Sequence, residues 1–156
     1  MQCFGDLIPA PARVLSILIG FLIFPCLYWL CIELFKSPIT GWVAIALVAV
    51  SPHQILMSQY AREYSLWGLM TVLSSAALLK ALRVQTTRTW IIYAATLAIG
   101  FYSHLFFTLV VLGHGIYVFI IERSLFRKNL ISYLFASIAG LLAFIPWIFV
   151  IINNMN

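Results

Sequence analysis

The sequence predicts an all-α protein, a polytopic bundle of about six membrane-spanning helices, and two observations support this prediction. Of the 156 residues, 64% are hydrophobic and only 8% are charged, with a mean hydropathy of +1.08. The apolar residues form long uninterrupted runs, and short polar stretches that contain basic residues separate them. Because backbone groups inside a bilayer must be hydrogen-bonded within the protein, each run is expected to be a helix.

The first three predicted crossings follow one another along the chain. They cover residues 12–35, 42–57 and 63–82, and polar stretches at 36–41 and 83–88 mark their boundaries. Pro52 lies inside the second run and is expected to end or bend that helix, because proline has no N–H to donate. Small side chains are expected to allow the helices to approach closely. The residues concerned are Gly20, Gly68, Ser74, Ser75, Gly113 and Gly140.

The next apolar run, the 33 residues 89–121, carries no formal charge. It is too long for one comfortable crossing and short for two, since about 20 residues cross the hydrocarbon core. If two short helices meet near residues 102–104, the basic clusters before and after this run lie on the same side of the membrane, as the positive-inside tendency favours. A single long helix would place these clusters on opposite sides. The sixth crossing is predicted over residues 130–152. Seven of the nine basic residues then face the cytoplasm: Lys36, Lys80, Arg83, Arg88, Arg123, Arg127 and Lys128.

The opposite, non-cytoplasmic side collects the unusual polar residues, most of them in the segment 51–66. If a helix begins near Ser58, then Gln59, Arg62 and Glu63 share one face. The planar guanidinium of Arg62 suits a phosphate or pyrophosphate, to which it can donate two parallel hydrogen bonds. The alternative is an arginine that extends to lipid headgroups and pairs with Glu63.

Two further residues are candidates on the same side. His104 lies at a predicted outer turn, where a neutral imidazole would orient a substrate hydroxyl or bind a metal; the alternative is a hydrogen-bonded structural histidine. Arg13 lies at the start of the first crossing. It is interpreted either as an ordinary basic residue that flanks a membrane helix or as a second residue that contacts the anion. His114, inside an apolar run, is interpreted as a packing or interhelical hydrogen-bonding residue. Glu33 and Lys36 are interpreted as a helix-end pair.

Composition also excludes some classes of function. The formal charge of +5 is spread singly or in small groups between apolar runs, which is typical of topology signals and argues against nucleic-acid binding. The three cysteines have no metal-binding spacing, so neither a disulfide framework nor a sulfur-based metal site is predicted.

Several short motifs together resemble a known family of membrane enzymes. They are Ala12-Arg-Val-Leu-Ser16, Gly20, Pro25-x-x-Tyr28, Ser51-Pro-x-x-Ile55-x-x-Ser58-Gln-x-Ala-Arg62-x-Tyr64-Ser-Leu66, Tyr102-Ser-His104 and Pro146-Trp147. The pattern is similar to bacterial GT-C glycosyltransferases, in the branch related to protein O-mannosyltransferases and the lipid A aminoarabinose transferase. The segment from Ser51 to Leu66 is its most specific part, because no general rule of membrane packing requires that string.

The resemblance implies a multi-pass enzyme of the bacterial inner membrane with a site that faces the periplasm. Such an enzyme takes a hexosyl or pentosyl group from a polyprenyl-phosphate carrier and transfers it to an acceptor; the residues specify neither the sugar nor the acceptor. By resemblance, Arg62 would contact the carrier phosphate, and His104 would occupy the matching outer-loop position. Gln59, Tyr64, His53 and Arg13 would line the same substrate site. The resemblance leaves open a divalent metal, Mg²⁺ or Mn²⁺, with no metal ligand assigned.

This chain departs from the family pattern in two respects. Tyr60 stands where an acidic residue is frequent, and no residue matches the acid proposed as the catalytic base, which sugar transfer needs to deprotonate the acceptor. The chain, 1–156 as a single transmembrane domain, is therefore interpreted as an internal portion of a larger GT-C module. The N-terminal helix with its first outer loop and the C-terminal part would be missing, and little or no activity is expected from the chain alone.

Two functions from other classes compete with sugar transfer. A small transporter or flippase component would use Arg62, Glu63 and the histidines to line a path, but the predicted helices are nearly free of charge at their centres. A non-catalytic membrane scaffold would retain only a groove for a lipid phosphate.

Overall fold

The computed structural model describes residues 10–51, 64–104, 106–121 and 126–154, and six helices account for nearly all of them. In chain order these are α1 (Ala10–Phe35), α2 (Pro38–Val50), α3 (Tyr64–Val84), α4 (Thr87–Ser103), α5 (Phe107–Ile121) and α6 (Phe126–Asn154). None of the residues in these ranges is in a strand. The predicted all-α bundle is confirmed, and so is the division of the run 89–121 into two helices near residue 104.

Two tight turns make neighbouring helices antiparallel. Lys36 ends α1 with a φ of 55°, and Gln85 ends α3 with a φ of 53°. In each turn the backbone N–H of that residue donates to the carbonyl four residues earlier, at 2.9 Å. A left-handed residue that donates in this way closes the last turn of a helix and reverses the chain. As a result, α2 starts beside the end of α1, and α4 starts beside the end of α3.

The helices pack around a core shared by α3, α4, α5 and α6. Its fully buried members include Leu78, Tyr93, Leu97, Phe107 and Val118. Two side-chain contacts between α1 and α3, Glu33 with Arg83 and Lys80 over the ring of Trp29, join the C-terminal parts of both helices. These two helices therefore run parallel, and α1 also packs against α2 at the outside of the bundle.

Close helix crossings occur at glycines, although not at every glycine that the sequence suggested. A Cβ added at Gly140 of α6 would lie 2.9 Å from the Cβ of Leu97 in α4, and one added at Gly100 would overlap the ring of Phe107. Gly113, in contrast, has open space, with nothing within 4 Å of an added Cβ. Gly140 is thus confirmed as a close-approach position and Gly113 is not, because Gly113 faces away from the neighbouring helices.

The structure gathers four basic residues at one end of the bundle, which we call the basic end. This end comprises the C-terminal ends of α1 and α3 and the starts of α2, α4 and α6. Its described basic side chains are Lys36, Lys80, Arg83 and Arg88. The end of α4, with His104, lies at the other end, which we call the His104 end. The predicted separation of basic residues from His104 is therefore confirmed for these positions, while the side of the membrane that each end faces stays a prediction.

Within the described part of the chain, three helices are long and apolar enough to cross a membrane. The candidate spans are Ser16–Phe35, Ser65–Val84 and Asn129–Pro146. Many large apolar side chains on their surfaces are exposed, among them Phe21 and Phe135 at 65% and 71%, as expected for residues that face lipid.

The prediction of a second crossing over residues 42–57 is wrong at its start and at Ser51, which is not helical, and residues 52–57 lie outside the described residues. Helix α2 begins at Pro38 and ends at Val50, so its 13 residues extend only about 20 Å. Pro38 at the first position needs no N–H partner, which favours the earlier start, and Pro52 restricts Ser51 to an extended conformation, which ends the helix early. Helices α4 and α5, with 17 and 15 residues, are also shorter than a typical crossing.

Candidate functional site

The turn between α4 and α5 positions His104. The backbone N–H of His104 donates to the carbonyl of Gly100 at 3.2 Å, and the N–H of Phe107 donates to the carbonyl of His104 at 3.0 Å. The ring of Phe107 is fully buried and packs edge-on against Phe101. Because the first residue of α5 is anchored in the core, the turn and its histidine have a defined position at this end of the bundle.

The imidazole of His104 lies between two aromatic rings. It stacks on Phe106 with ring centroids 5.3 Å apart and an interplanar angle of 22°, and the centroid of Trp67 in α3 lies 6.0 Å away. Its Nδ1 atom accepts a hydrogen bond from the backbone N–H of Phe106 at 3.2 Å. An Nδ1 that accepts leaves the proton of the neutral ring on Nε2. In this tautomer Nε2 is a hydrogen-bond donor, whereas binding a metal through Nε2 would require the opposite tautomer.

Trp67 is a neighbour of His104 that the sequence analysis did not single out. Its indole N–H is buried and has no hydrogen-bond partner within the part of the chain that the structure describes. Buried donors are seldom left without an acceptor. The sequence pointed to Trp67 only through its place, three residues after the start of a helix that follows a polar segment. Aromatic residues are too common in membrane proteins for that place to identify a site residue.

The other predicted site residues are described in part or not at all. His53, Gln59 and Arg62 lie outside the described residues. The backbones of Arg13 and Tyr64 are described, within α1 and at the first position of α3, and their side chains are not. Since α1 and α3 run parallel and Trp67 contacts His104, the N-terminal parts of α1 and α3 belong to the His104 end.

A second set of polar side chains links three helices inside the bundle. The Oγ atom of Ser75 in α3 lies 3.1 Å from Nε2 of His114 in α5, and Nδ1 of His114 lies 3.1 Å from the hydroxyl of Tyr93 in α4. Ser75 donates its own proton to the carbonyl of Thr71 at 2.7 Å. His114 must then donate to Ser75 through Nε2, and Tyr93 must donate to Nδ1. The interpretation of His114 as an interhelical hydrogen-bonding residue is confirmed.

This Ser75–His114–Tyr93 network is not arranged for nucleophilic catalysis. A catalytic histidine accepts the proton of its serine, whereas here the serine proton is directed to Thr71 and the histidine is the donor. His114 is buried and Tyr93 is fully buried, so the network is enclosed by the bundle. Its role is to hold α3, α4 and α5 in one relative rotation, because each polar group would otherwise be unpaired in an apolar core.

Glu33 pairs with a different partner from the one that the sequence suggested. Its carboxylate accepts from Nη1 of Arg83 at 2.7 Å and from the indole N–H of Trp29 at 3.2 Å, and the carbonyl of Glu33 accepts from Nη2 of Arg83. The predicted pairing with Lys36 is therefore wrong. Lys36 belongs to the turn that leaves α1, and its left-handed backbone turns the chain toward α2.

The comparison with known proteins identifies the family of the chain. Residues 1–149 match the family described as dolichyl-phosphate-mannose-protein mannosyltransferase. The chain belongs to this family. No curated protein and no solved structure matches the chain.

Membership of the dolichyl-phosphate-mannose-protein mannosyltransferase family makes this chain a membrane glycosyltransferase of the GT-C type. It also implies a sugar donor that is linked to a polyprenyl phosphate. Among the residues that the structure describes, no three His, Cys, Asp or Glu side chains are grouped as a metal site would need.

Proposed function

We propose that this chain binds a polyprenyl-phosphate-linked sugar at the His104 end and takes part in transfer of the sugar to an acceptor on the extracytoplasmic face, in the inner membrane of a bacterium. In such a transfer the acceptor oxygen forms a bond to the anomeric carbon. The bond from that carbon to the phosphate oxygen breaks, the carrier phosphate leaves with the electron pair, and the proton of the acceptor hydroxyl passes to the released phosphate or to water. Negative charge on the phosphate has to be stabilised as it departs.

The observation that carries this proposal is the hydrogen bond that Nδ1 of His104 accepts from the backbone N–H of Phe106. This bond assigns the proton of the neutral ring to Nε2, which makes Nε2 a donor of the kind that an oxygen of the phosphate or of the sugar accepts. Arg62 and Arg13 are assigned to the phosphate, because a guanidinium stays charged and binds two oxygens at once. Gln59, Tyr64 and His53 are assigned to the sugar, since amide, phenol and imidazole groups match its hydroxyls.

Direct binding tests this assignment without depending on turnover. The purified chain in detergent is titrated with a short-chain polyprenyl-phosphate sugar, and the Arg62→Ala and His104→Ala variants are titrated in parallel. Losing a charge-assisted hydrogen bond costs about 1.5–3 kcal/mol, so Arg62→Ala is expected to weaken binding by about tenfold or more. His104→Ala removes a neutral donor and is expected to weaken binding by a smaller factor.

A matched control separates a local contact from a change in overall charge. Lys36→Gln removes one positive charge at the basic end, far from His104, and is expected to leave binding unchanged. If Arg62→Ala and Lys36→Gln bind the donor equally well, Arg62 has no place in the site. A transporter component would instead bind the carrier without its sugar as tightly as with it, so the unsubstituted polyprenyl phosphate is the competitor that distinguishes the two functions.

A further inference from the structure

A groove between α4 and α6 opens at the basic end, on the opposite side of the bundle from His104. Its volume is about 420 Å³, within the range of about 300–1,000 Å³ that is usual for small-molecule sites. The two helices run in the same direction here: Gln85 and Thr87 at the start of α4 face Asn129 and Ser132 near the start of α6 across the groove.

The groove changes from polar to apolar along its length. The polar residues Gln85, Thr87, Asn129 and Ser132 line its mouth, and Trp90, Ile91, Ala94, Phe135 and Ala139 line the rest. From Thr87 to Ala94 the helix rises about 10 Å, and from Asn129 to Ala139 about 15 Å. A phospholipid has the same gradient over this depth, from the phosphate through the ester region to the first part of an acyl chain.

The apolar part of the groove is open to the side, toward the bilayer. Ile91 and Phe135, one on each helix, are 63% and 71% exposed. A chain lying between them would cover apolar surface on both helices and would reach the groove from within the leaflet. The volume is sufficient for a headgroup and the upper part of one chain, while the remainder of the lipid would stay in the bilayer.

Basic residues occur in the sequence at the starts of both helices that form the groove. Arg88 follows Thr87 and its side chain is exposed, and Arg127 and Lys128 immediately precede Asn129 in the first turn of α6. The acid nearest in sequence to the start of α6 is Glu122, which Arg123 follows directly. At the basic end, Glu33 already pairs with Arg83. Positive charge therefore predominates in the sequence at the starts of α4 and α6, and positive pockets between transmembrane helices favour anionic headgroups.

We propose that this groove is a binding site for an anionic glycerophospholipid of the surrounding leaflet. The phosphate lies at the polar mouth beside Arg88, and one acyl chain runs between Ile91 and Phe135. The site is separate from the proposed sugar-donor site and does not depend on it. A lipid there bridges α4 and α6. The same two helices are joined toward the His104 end by the hydrogen bond from the hydroxyl of Tyr102 to the carbonyl of Ala143.

Native mass spectrometry of the full chain tests the proposal, with phosphatidylglycerol and phosphatidylcholine of identical acyl chains as probes. We expect saturable binding of phosphatidylglycerol that is clearly tighter than that of phosphatidylcholine. Arg88→Gln is expected to weaken phosphatidylglycerol binding about fivefold, the effect of one basic residue near an anionic lipid surface. Lys36→Gln removes the same charge at the same end of the bundle, away from the groove, and should have no effect on binding.

A second pair of variants tests the apolar part of the groove. Ala139→Phe places a ring in the groove and is expected to abolish saturable binding, whereas Ala46→Phe places the same ring on an exposed face of α2 and should leave it intact. Equal binding of the two lipids, or equal losses in Arg88→Gln and Lys36→Gln, would overturn the proposal. Tighter binding of a polyprenyl phosphate than of phosphatidylglycerol, lost in Ala139→Phe, would also overturn it and would assign the groove to the carrier.

Discussion

The substitution Gly100→Ala tests how α4 and α5 cross below the turn that carries His104. An added Cβ at position 100 would lie 2.6 Å from the Cδ1 atom of Phe107 and closer still to the next two ring carbons, whereas real Cβ contacts are longer than 3.0 Å. The Phe107 ring is fully buried, so it cannot turn into free space. Overpacking of this kind costs about 1–3 kcal/mol.

Gly113→Ala is the matched control, because an added Cβ there meets nothing within 4 Å. Both variants replace a helical glycine by alanine and gain about 1 kcal/mol of helix propensity. The difference in the free energy of unfolding between them therefore isolates the clash, at about 1–3 kcal/mol. Gly113→Ala is expected to be slightly more stable than the wild type, and Gly100→Ala less stable than Gly113→Ala by that amount.

Thermal unfolding in detergent, followed with a thiol-reactive dye, measures this difference. Cys31 is buried and Cys26 is partly buried, so their thiols react as the bundle opens. We expect a Tm for Gly100→Ala several degrees below that of Gly113→Ala. Because Phe107 also holds the carbonyl of His104, Gly100→Ala should weaken donor binding as well, and Gly113→Ala should not. Equal Tm values for the two variants would refute the crossing described here.

Two further predictions concern the buried network and the topology. Tyr93→Phe removes the donor to His114 and should lower the free energy of unfolding by about 0.6–2 kcal/mol, measured by the same dye assay. The control Tyr117→Phe, on α5, should change the free energy of unfolding little. A Tm for Tyr93→Phe at or above that of Tyr117→Phe would show that the hydrogen bond adds no stability. In a cysteine-free background, His53→Cys and Thr86→Cys should react with a membrane-impermeant thiol reagent from opposite sides of the membrane, because the two positions flank α3 at its two ends. Labelling of both cysteines from the same side would contradict the topology.

The helix boundaries show which parts of the fold are predictable from local sequence. The turn at Lys36 and the turn at Gln85 follow from interruptions in apolar runs, and the division near residue 104 follows from the placement of basic residues. The end of α2 at Val50 agrees with the expectation that Pro52 ends this helix, whereas the limit at residue 57 came from hydropathy, which does not report the backbone restriction before a proline.

Sequence by itself determined the membrane-embedded helical bundle and the separation of basic residues from His104, since apolar length and charge position act locally. Only the tertiary structure decided which polar groups meet. Examples are Glu33 with Arg83, which are 50 residues apart, and Ser75 and Tyr93 with His114. The physical reason is that lipid and protein core are equally apolar. A helix that is apolar on all sides has no stripe that predicts its rotation, so helix contacts are set by packing at a few glycines and by buried hydrogen bonds.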